Sequence, residues 1–189
     1  MTATFRTSQI VSDIDVGKPH LILVGLPGSG KSVVGEAAAA RLQRSFLDFD
    51  REIERREGSS ISEIFAVRGE PYFRQQEIEL TLELRQCGNM VVAPGGGWMG
   101  NKGVVEIIRP PARLIYLKVK PETALKRLGA QRAVRPLLTR PDPLAEIRRL
   151  LLERENLYSQ ADHVVSAEML DVKRLVDKLA ELASTIKGG

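Results

Sequence analysis

The sequence predicts an α/β domain of three layers, in which helices cover both faces of a five-stranded parallel sheet. Short apolar runs of strand length alternate along the chain with amphipathic segments of helix length, and this order is typical of β-α-β units. Strands covered on both faces are expected to be apolar, as the run HLILVG at 20–25 is. A length of 189 residues fits one such domain and is enough for a substantial core.

The individual elements are assigned from hydrophobic spacing and from local signals. Strands are predicted at HLILVG, SFLDF, MVVA, RLIYLKV and HVV. In the first helix, apolar residues recur every four positions from Val34 to Leu42. Ser60 and Glu63 form a capping-box pattern, and Pro121 suits the first turn of a helix. The remaining helices are predicted near 51–57, 61–68, 70–87, 102–109, 121–128, 143–160 and 171–186.

Composition excludes several kinds of protein. Cys87 is the only cysteine, so no disulfide can form within the chain, and His20 with His163 cannot alone form a usual zinc site. Residues 1–18 lack the apolar core of a signal peptide, and no later run is long enough to span a bilayer. We therefore expect a cytoplasmic protein with a flexible extension at 1–18 and one domain at 19–189.

A phosphate-binding loop follows the first strand. Residues 25–32, GLPGSGKS, satisfy the pattern G-x-x-x-x-G-K-[ST] between a predicted strand and a predicted helix. Glycines let backbone N–H groups surround phosphate oxygens, Lys31 reaches the β- and γ-phosphates, and the Ser32 hydroxyl binds Mg²⁺. The chain is therefore predicted to bind a nucleoside triphosphate. The predicted nucleotide-binding residues are Gly28, Ser29, Gly30, Lys31, Ser32 and Val33.

The acid that anchors magnesium in many P-loop proteins does not end the third strand, where MVVA is followed by Pro94 and three glycines. A guanine-reading Asn-Lys-x-Asp motif is also missing, because 101–104 read NKGV. Asp48 and Asp50 follow the second strand instead, and residues two apart on a strand point to the same side. We predict that Asp48 holds Mg²⁺ through water and that Asp50 accepts a hydrogen bond from an attacking hydroxyl. The alternative is that both acids start a helix and interact with its dipole.

Two arginines are candidates for binding an anionic substrate. Arg154 takes an apolar position in a helical stripe that continues to Tyr158, so its guanidinium needs a partner. Arg74 lies early in its own helix. Each has a simpler alternative, a structural pair with a nearby acid, which for Arg74 is Glu77 at i+3. Two guanidinium groups that hold one carboxylate would select an acid over a neutral sugar.

The glycine loop Gly95, Gly96 and Gly97 follows the third strand. Backbone without side chains can approach a ligand closely and offer N–H groups, although a tight turn without a ligand is the alternative. The segment 126–140 carries five cations and, with its flanks, no acid from 123 to 141. A net charge of +4 and a pI near 9.4 indicate anionic ligands. The segment is therefore predicted to be a solvated face, a nucleic-acid patch or a phosphate-binding lid.

Taken in order, these motifs resemble shikimate kinase. The resemblance covers about residues 19–180 and rests on GLPGSGKS, FLDFD at 46–50, Phe73 with Arg74, the three glycines, RPLL at 135–138, and Arg154 with Tyr158. It implies a P-loop NTPase fold with a mobile lid at about 126–143. It also implies transfer of the ATP γ-phosphoryl group to the 3-hydroxyl of shikimate, a step towards aromatic amino acids.

The resemblance implies roles for single residues as well. Arg135 and Lys31 would act at the phosphates, Arg127 would lie near adenine, and Asp50 would orient the hydroxyl. Mg²⁺ would be held by Ser32 and Asp48. We expect a monomer with neither nucleic-acid nor membrane partners. The shikimate-binding residues would be Asp50, Arg74, Gly95, Gly96, Gly97 and Arg154.

Two other functions fit parts of the pattern. Another small-molecule kinase of the same fold, acting on gluconate or a nucleoside monophosphate, would keep the phosphate loop and lid but has less need of paired arginines. A nucleic-acid-binding module regulated by a nucleotide would use the basic segment. That segment lacks interleaved aromatic residues, which such a module would need to stack bases.

Overall fold

Five parallel strands form the centre of the domain, in the order β2-β3-β1-β4-β5. The computed structural model describes residues 18–129, 142–168 and 171–185. The predicted fold class, a parallel sheet flanked by helices, is confirmed. The strands are β1 (Leu21–Val24), β2 (Ser45–Asp48), β3 (Met90–Ala93), β4 (Arg113–Lys118) and β5 (His163–Ser166).

Seven helices connect and flank the strands in the described residues, together with a short 3₁₀ turn at Trp98–Gly100. No helix there is both long enough and apolar enough to cross a membrane. The helices are α1 (Lys31–Leu42), α2 (Phe49–Glu57), α3 (Ile61–Leu84), α4 (Val104–Ile108), α5 (Pro121–Leu128), α6 (Pro143–Tyr158) and α7 (Val172–Thr185).

The central strands β1 and β3 are buried along their whole length, because helices cover both faces of a parallel sheet. Helix α1 packs against α7 and β3, and α5 packs against α6. Each fully buried aliphatic side chain of these strands contributes about 1.5–3 kcal/mol to folding. The packed sheet therefore sets where the loops at its carboxyl edge begin.

The second strand is shorter than predicted. It ends at Asp48, whose side chain caps α2 by accepting a hydrogen bond from the backbone N–H of Arg51 at 3.2 Å. Asp50 lies in the first turn of α2, so the prediction that both acids project from one strand is wrong. An acid at a helix start is stabilised by the helix dipole, so both acids lie where the alternative placed them, at the start of a helix.

Helix α3 is two helices joined at Gly69, which has φ 79° and ψ 167°. The break falls between the predicted helices at 61–68 and 70–87, and the second one ends at Leu84 instead of residue 87. A residue with a side chain would be strained at this positive φ. The predicted capping box is present, because the Ser60 and Glu63 side chains each accept a hydrogen bond from the other's backbone N–H.

His20 joins three parts of the chain at the start of β1. Its Nδ1 accepts a hydrogen bond from the Met90 backbone N–H at 3.3 Å, so its Nε2 carries the proton and donates to Leu84 O and Cys87 O, each at 3.0 Å. Burial lowers the pKa of His20, the two carbonyl bonds raise it in part, and the Arg44 charge lowers it further. The folded chain therefore favours the neutral imidazole.

We predict that the His20→Gln variant loses part of the pH dependence of folding. The pKa of His20 is lower in the folded state than in the unfolded state, where it is about 6.5. The stability that depends on the neutral ring is therefore present above about pH 6.5 and is lost as the pH falls below it. Urea unfolding gives the free energy of unfolding at about pH 7.5 and at about pH 5.5. The difference between these two values should be smaller in the variant than in the unmodified protein by about 1 kcal/mol.

The control is His163→Gln, which removes the other histidine of the chain, a half-buried residue of β5. This variant should keep the pH dependence of the unmodified protein. An unchanged pH dependence in His20→Gln would contradict the assignment of a buried neutral ring.

Candidate active site

Three loops meet at the carboxyl edge of the sheet because β2, β3 and β1 are neighbours and run parallel. Asp48, at the end of β2, lies opposite Ala93, at the end of β3. The glycine loop that follows Ala93 is therefore placed between the two acids on one side and the phosphate-binding loop after β1 on the other. Ligand sites of open α/β sheets lie at this edge.

The phosphate-binding loop has the backbone that its glycines allow. Gly30 precedes α1 with φ 97°, and Gly28 has φ 82°. A Cβ on Gly28 would lie 2.3 Å from the carbonyl oxygen of Ala124, so only glycine fits. Lys31 begins α1, and its Nζ donates to Gly25 O at 2.9 Å and to Leu26 O at 3.0 Å. The ammonium group is thus held across the loop at the N-terminus of α1.

A cavity of about 500 Å³, here called the P-loop cavity, opens beside this lysine. It brings together the phosphate-binding loop, both acids, part of the glycine loop and Arg127. The predicted site residues that line it are Gly28, Ser29, Gly30, Lys31, Ser32, Val33, Asp48, Asp50, Gly95, Gly96 and Arg127. The two acids therefore share one cavity, although Asp50 reaches it from a helix.

A second cavity of about 420 Å³, here called the arginine cavity, lies on the far side of the glycine loop. Arg74 of α3 and Arg154 of α6 line it, together with Gly97, Asn101 and Glu70. Since Gly95 and Gly96 line the P-loop cavity and Gly97 lines the arginine cavity, the glycine loop separates the two spaces.

Arg74 forms the ion pair with Glu77 that was the alternative explanation for it. Its Nη1 lies 2.8 Å from Glu77 Oε2, and its Nη2 lies 2.6 Å from Glu70 Oε1. Asn101 Nδ2 also donates to Glu77 Oε2, at 2.8 Å. All three guanidinium nitrogens of Arg74 bond to one of these two acids, and the partly exposed side chain lines the arginine cavity in the orientation that these bonds set.

Glu77 was not predicted as a site residue. Its side chain is fully buried, and Oε1 has no hydrogen-bond partner among the described residues. Burial raises the pKa of Glu77, Arg74 and Asn101 oppose that rise, and the nearby charge of Asp50 adds to it. Glu77 is therefore a buried carboxylate between the glycine loop and Arg74.

Arg154 reaches the arginine cavity from α6. Within the part of the chain that the structure describes, it forms no ion pair with an acidic side chain. One helical turn later, the hydroxyl of Tyr158 donates a hydrogen bond to the carbonyl oxygen of Gly96. Helix α6 therefore contributes both a cation for the cavity and a contact to the glycine loop.

Trp98, which follows the glycine loop, points into the core. It is 1% exposed, and its Nε1 donates to Thr81 Oγ1 at 2.9 Å. Its ring meets Phe49 edge to face, with centroids 6.5 Å apart. The buried Trp98 side chain therefore anchors the end of the glycine loop to the core.

The basic segment is only partly described. Arg127, at the end of α5, donates from Nη2 to Ala167 O at 2.7 Å and lines the P-loop cavity. Arg135 and most of the lid predicted at 126–143 lie outside the described residues.

The fold and this site define a P-loop kinase of small molecules, in which a phosphate-binding loop, two acids and an arginine-lined cavity surround one glycine loop. The shikimate kinase family model matches residues 27–184. The chain belongs to the shikimate kinase family. The shikimate kinase of Nitrobacter winogradskyi is 42% identical over 158 residues, which are 84% of this chain and 73% of that protein. The shikimate kinase of Symbiobacterium thermophilum is 38% identical over 169 residues, which are 89% of this chain and 96% of that protein.

Solved structures give the same family. Shikimate kinase from Acinetobacter baumannii in complex with shikimate superimposes with a TM-score of 0.84 and 34% identity, covering 89% of this chain and 94% of that one. A gluconokinase from Sinorhizobium meliloti has a TM-score of 0.57 at 17% identity, covering 88% of this chain and 94% of that one. The second likeness shows the shared fold alone.

We predict that the Glu77→Ala variant is strongly destabilised. It removes a fully buried carboxylate and leaves Arg74 with Glu70 as its remaining acidic partner. Since Arg74 is partly exposed, the expected loss of unfolding free energy is about 2–3 kcal/mol, measured by urea unfolding.

The matched control is Glu79→Ala, on the exposed face of the same helix, which should change stability by about 0.5 kcal/mol or less. Equal stabilities for the two variants would show that the buried ion pair does not hold this region together.

Proposed function

We propose that the chain transfers the γ-phosphoryl group of ATP to the 3-hydroxyl of shikimate, giving shikimate 3-phosphate and ADP. The observation that supports this most is the arrangement around the glycine loop. Lys31 and Asp50 line one cavity beside the loop, and Arg74 and Arg154 line the other. The groups therefore follow one another in space. Lys31 would bind the phosphate donor, Asp50 would meet the acceptor hydroxyl, and the two arginines would bind the acceptor carboxylate.

The phosphate-binding loop would hold ATP. The N-terminus of α1 carries partial positive charge, and Lys31 adds a full charge there. In a direct in-line transfer, Lys31 and Arg135 would stabilise charge on the moving phosphoryl group without a phosphoenzyme. Val33 and Arg127 line the same cavity and are proposed to contact the nucleotide, with Arg127 near adenine.

Ser32 and Asp48 fit a magnesium ion. Both offer hard oxygen atoms to the P-loop cavity, and Mg²⁺ prefers oxygen ligands. Within the described residues, no group of three or more His, Cys, Asp or Glu side chains is arranged to hold a metal ion. The remaining ligands would therefore be phosphate oxygens and water, as is usual for Mg²⁺ in kinases. When bound, the ion would neutralise part of the phosphate charge.

Asp50 would orient the attacking hydroxyl and accept its proton. It lies in the first turn of α2, where a negative charge interacts favourably with the helix dipole. Its Oδ1 lies 3.1 Å from the position of a Cβ on Gly95, so the carboxylate is next to the glycine loop. A base at this place would face an acceptor bound against that loop.

Arg74, Arg154 and the backbone N–H groups of Gly95–Gly97 would hold the carboxylate of shikimate. Arg74 is paired with both Glu70 and Glu77, whereas Arg154 has no acidic partner among the described residues. The positive charge offered to an anion therefore comes mainly from Arg154. A neutral polyol would gain little from such a pair of arginines. Gluconate also carries a carboxylate, so a gluconate kinase is the second candidate.

Measuring ADP release with a panel of acceptors tests the assignment. Shikimate should stimulate ADP formation well above the rate without acceptor, and gluconate and nucleoside monophosphates should not. Stimulation by gluconate alone would favour the second candidate. A nucleic-acid role would require salt-sensitive binding of oligonucleotides, which the proposal does not expect.

We predict that Asp50→Asn lowers kcat by about 10²–10⁴-fold, because the amide cannot accept the proton. The fold should persist, since Asn also suits the first turn of a helix. Steady-state assays with saturating ATP and shikimate give kcat, and circular dichroism checks the fold. The control is Asp177→Asn, on the exposed face of α7. Near-normal turnover of Asp50→Asn would remove Asp50 from this role.

We predict that Arg154→Ala weakens shikimate binding by about 10- to 100-fold, which corresponds to one charge-assisted hydrogen bond of about 1.5–3 kcal/mol. ATP binding should change little, because Arg154 lines the arginine cavity and does not line the P-loop cavity. Calorimetry with each ligand measures both affinities. Arg148→Ala, exposed on the same helix, is the matched control, and an unchanged shikimate affinity in Arg154→Ala would contradict the proposed clamp.

A further inference from the structure

Tyr158 has no role in the mechanism proposed above, yet its hydroxyl touches the centre of the site. It is the last residue of α6 and is 1% exposed. Its ring packs on Tyr116 with centroids 5.1 Å apart, and its hydroxyl donates to the carbonyl oxygen of Gly96. The ring therefore belongs to the core, whereas the hydroxyl contacts the glycine loop.

The contact to Gly96 fixes the direction of a neighbouring N–H group. In a planar trans peptide, the C=O of one residue and the N–H of the next point in opposite directions. With its carbonyl held towards Tyr158, Gly96 therefore sends the Gly97 N–H away from α6. Two turn bonds close the loop, from Trp98 N to Gly95 O at 3.0 Å and from Gly100 N to Gly97 O at 2.9 Å, and among the described residues neither uses the Gly97 N–H.

Tyr158 is also coupled to Arg154. The two residues are four apart on α6 and so lie on the same face of the helix. Burial raises the pKa of Tyr158, and the charge of Arg154 with its side-chain hydrogen bond opposes that rise. A buried phenol at ordinary pH remains an O–H donor, so the bond to Gly96 is retained while Arg154 lies beside the same oxygen.

We propose that Tyr158 is a positioning residue for shikimate, whose hydroxyl fixes the Gly96–Gly97 peptide and orients the Arg154 guanidinium for the substrate carboxylate. The inference rests on the proposed function, because it assumes that shikimate binds at the glycine loop. Tyr158 itself does not contact the reacting atoms.

The simpler explanation is that Tyr158 only fills the core. The Tyr158→Phe variant separates the two, because it keeps the ring and removes the hydroxyl. Tyr116→Phe is a matched control, since it removes the hydroxyl of the ring packed against Tyr158. That hydroxyl donates to Glu155 Oε2 at 2.7 Å, and not to the glycine loop.

Steady-state kinetics with each substrate varied in turn should show a selective effect. We expect Tyr158→Phe to raise the KM for shikimate about 5- to 20-fold, while the KM for ATP and kcat change by about twofold or less. Tyr116→Phe should leave the KM for shikimate within about twofold of the unmodified chain. Equal changes in both KM values, or the same change in Tyr116→Phe, would overturn the proposal.

A double-mutant comparison adds a second readout. If Tyr158 acts through Arg154, Tyr158→Phe should weaken shikimate binding less in an Arg154→Ala background than in the unmodified chain. Additive effects would overturn the coupling. Calorimetry with shikimate alone gives the four dissociation constants.

A measurement on the folded, unsubstituted chain keeps the idea testable if Tyr158→Phe does not fold. The chain contains three tyrosines. In protein labelled with 3-fluorotyrosine, Tyr72→Phe and Tyr116→Phe assign two fluorine resonances, and Tyr158 follows by elimination. Addition of shikimate should shift the Tyr158 resonance more than that of Tyr116, and an unmoved Tyr158 resonance would overturn the proposal.

The same titration separates failure of the inference from failure of the proposed function. If shikimate neither binds the unmodified chain nor stimulates ADP release, the proposed function fails. If it does both while Tyr158→Phe behaves as Tyr116→Phe does, only the role of Tyr158 fails.

Discussion

The site depends on the parallel pairing of β3 with β2 on one side and with β1 on the other. Parallel strands end at the same edge, so Asp48 comes to lie opposite Ala93, and the loop after Ala93 comes to lie beside the loop after β1. The apolar strands and the helices over them hold the three loops at their spacing. A shift of β2 by one residue in its pairing with β3 would move the acids away from the phosphate-binding loop.

A buried charge supports the other half of the site. Placing the Glu77 carboxylate in the core costs solvation energy, and the bonds from Arg74 and Asn101 offset that cost. In return the Arg74 guanidinium is held in one orientation at the cavity wall. Arg154 is arranged differently, because its neighbour is the Tyr158 hydroxyl and not an acid. One arginine is thus held by two acids, and the other forms no ion pair among the described residues and can offer its charge to an anion.

The strands, the phosphate-binding loop and most helices could be predicted because their signals are local: apolar runs, helical spacing, glycines and caps. The place of Asp50 could not, because an acid suits both the end of a strand and the start of a helix, and only packing puts that boundary after Asp48. Glu77 was visible in the sequence only as a partner at i+3. That it is buried, and that the Tyr158 hydroxyl meets Gly96, are consequences of tertiary packing between segments far apart in sequence.

Each of the three glycines of the loop packs closely against a different part of the site. A Cβ on Gly95 would lie 2.8 Å from Glu77 Oε1, one on Gly96 would lie 2.9 Å from Cδ of Pro27 in the phosphate-binding loop, and one on Gly97 would lie 2.6 Å from Arg74 Nη2. These separations are shorter than real Cβ contacts. A side chain at any of these positions would therefore displace its neighbour, which is Glu77, Pro27 or Arg74. It follows that only backbone stands between the two cavities at this loop, which leaves backbone N–H groups as the natural donors to a ligand bound against it.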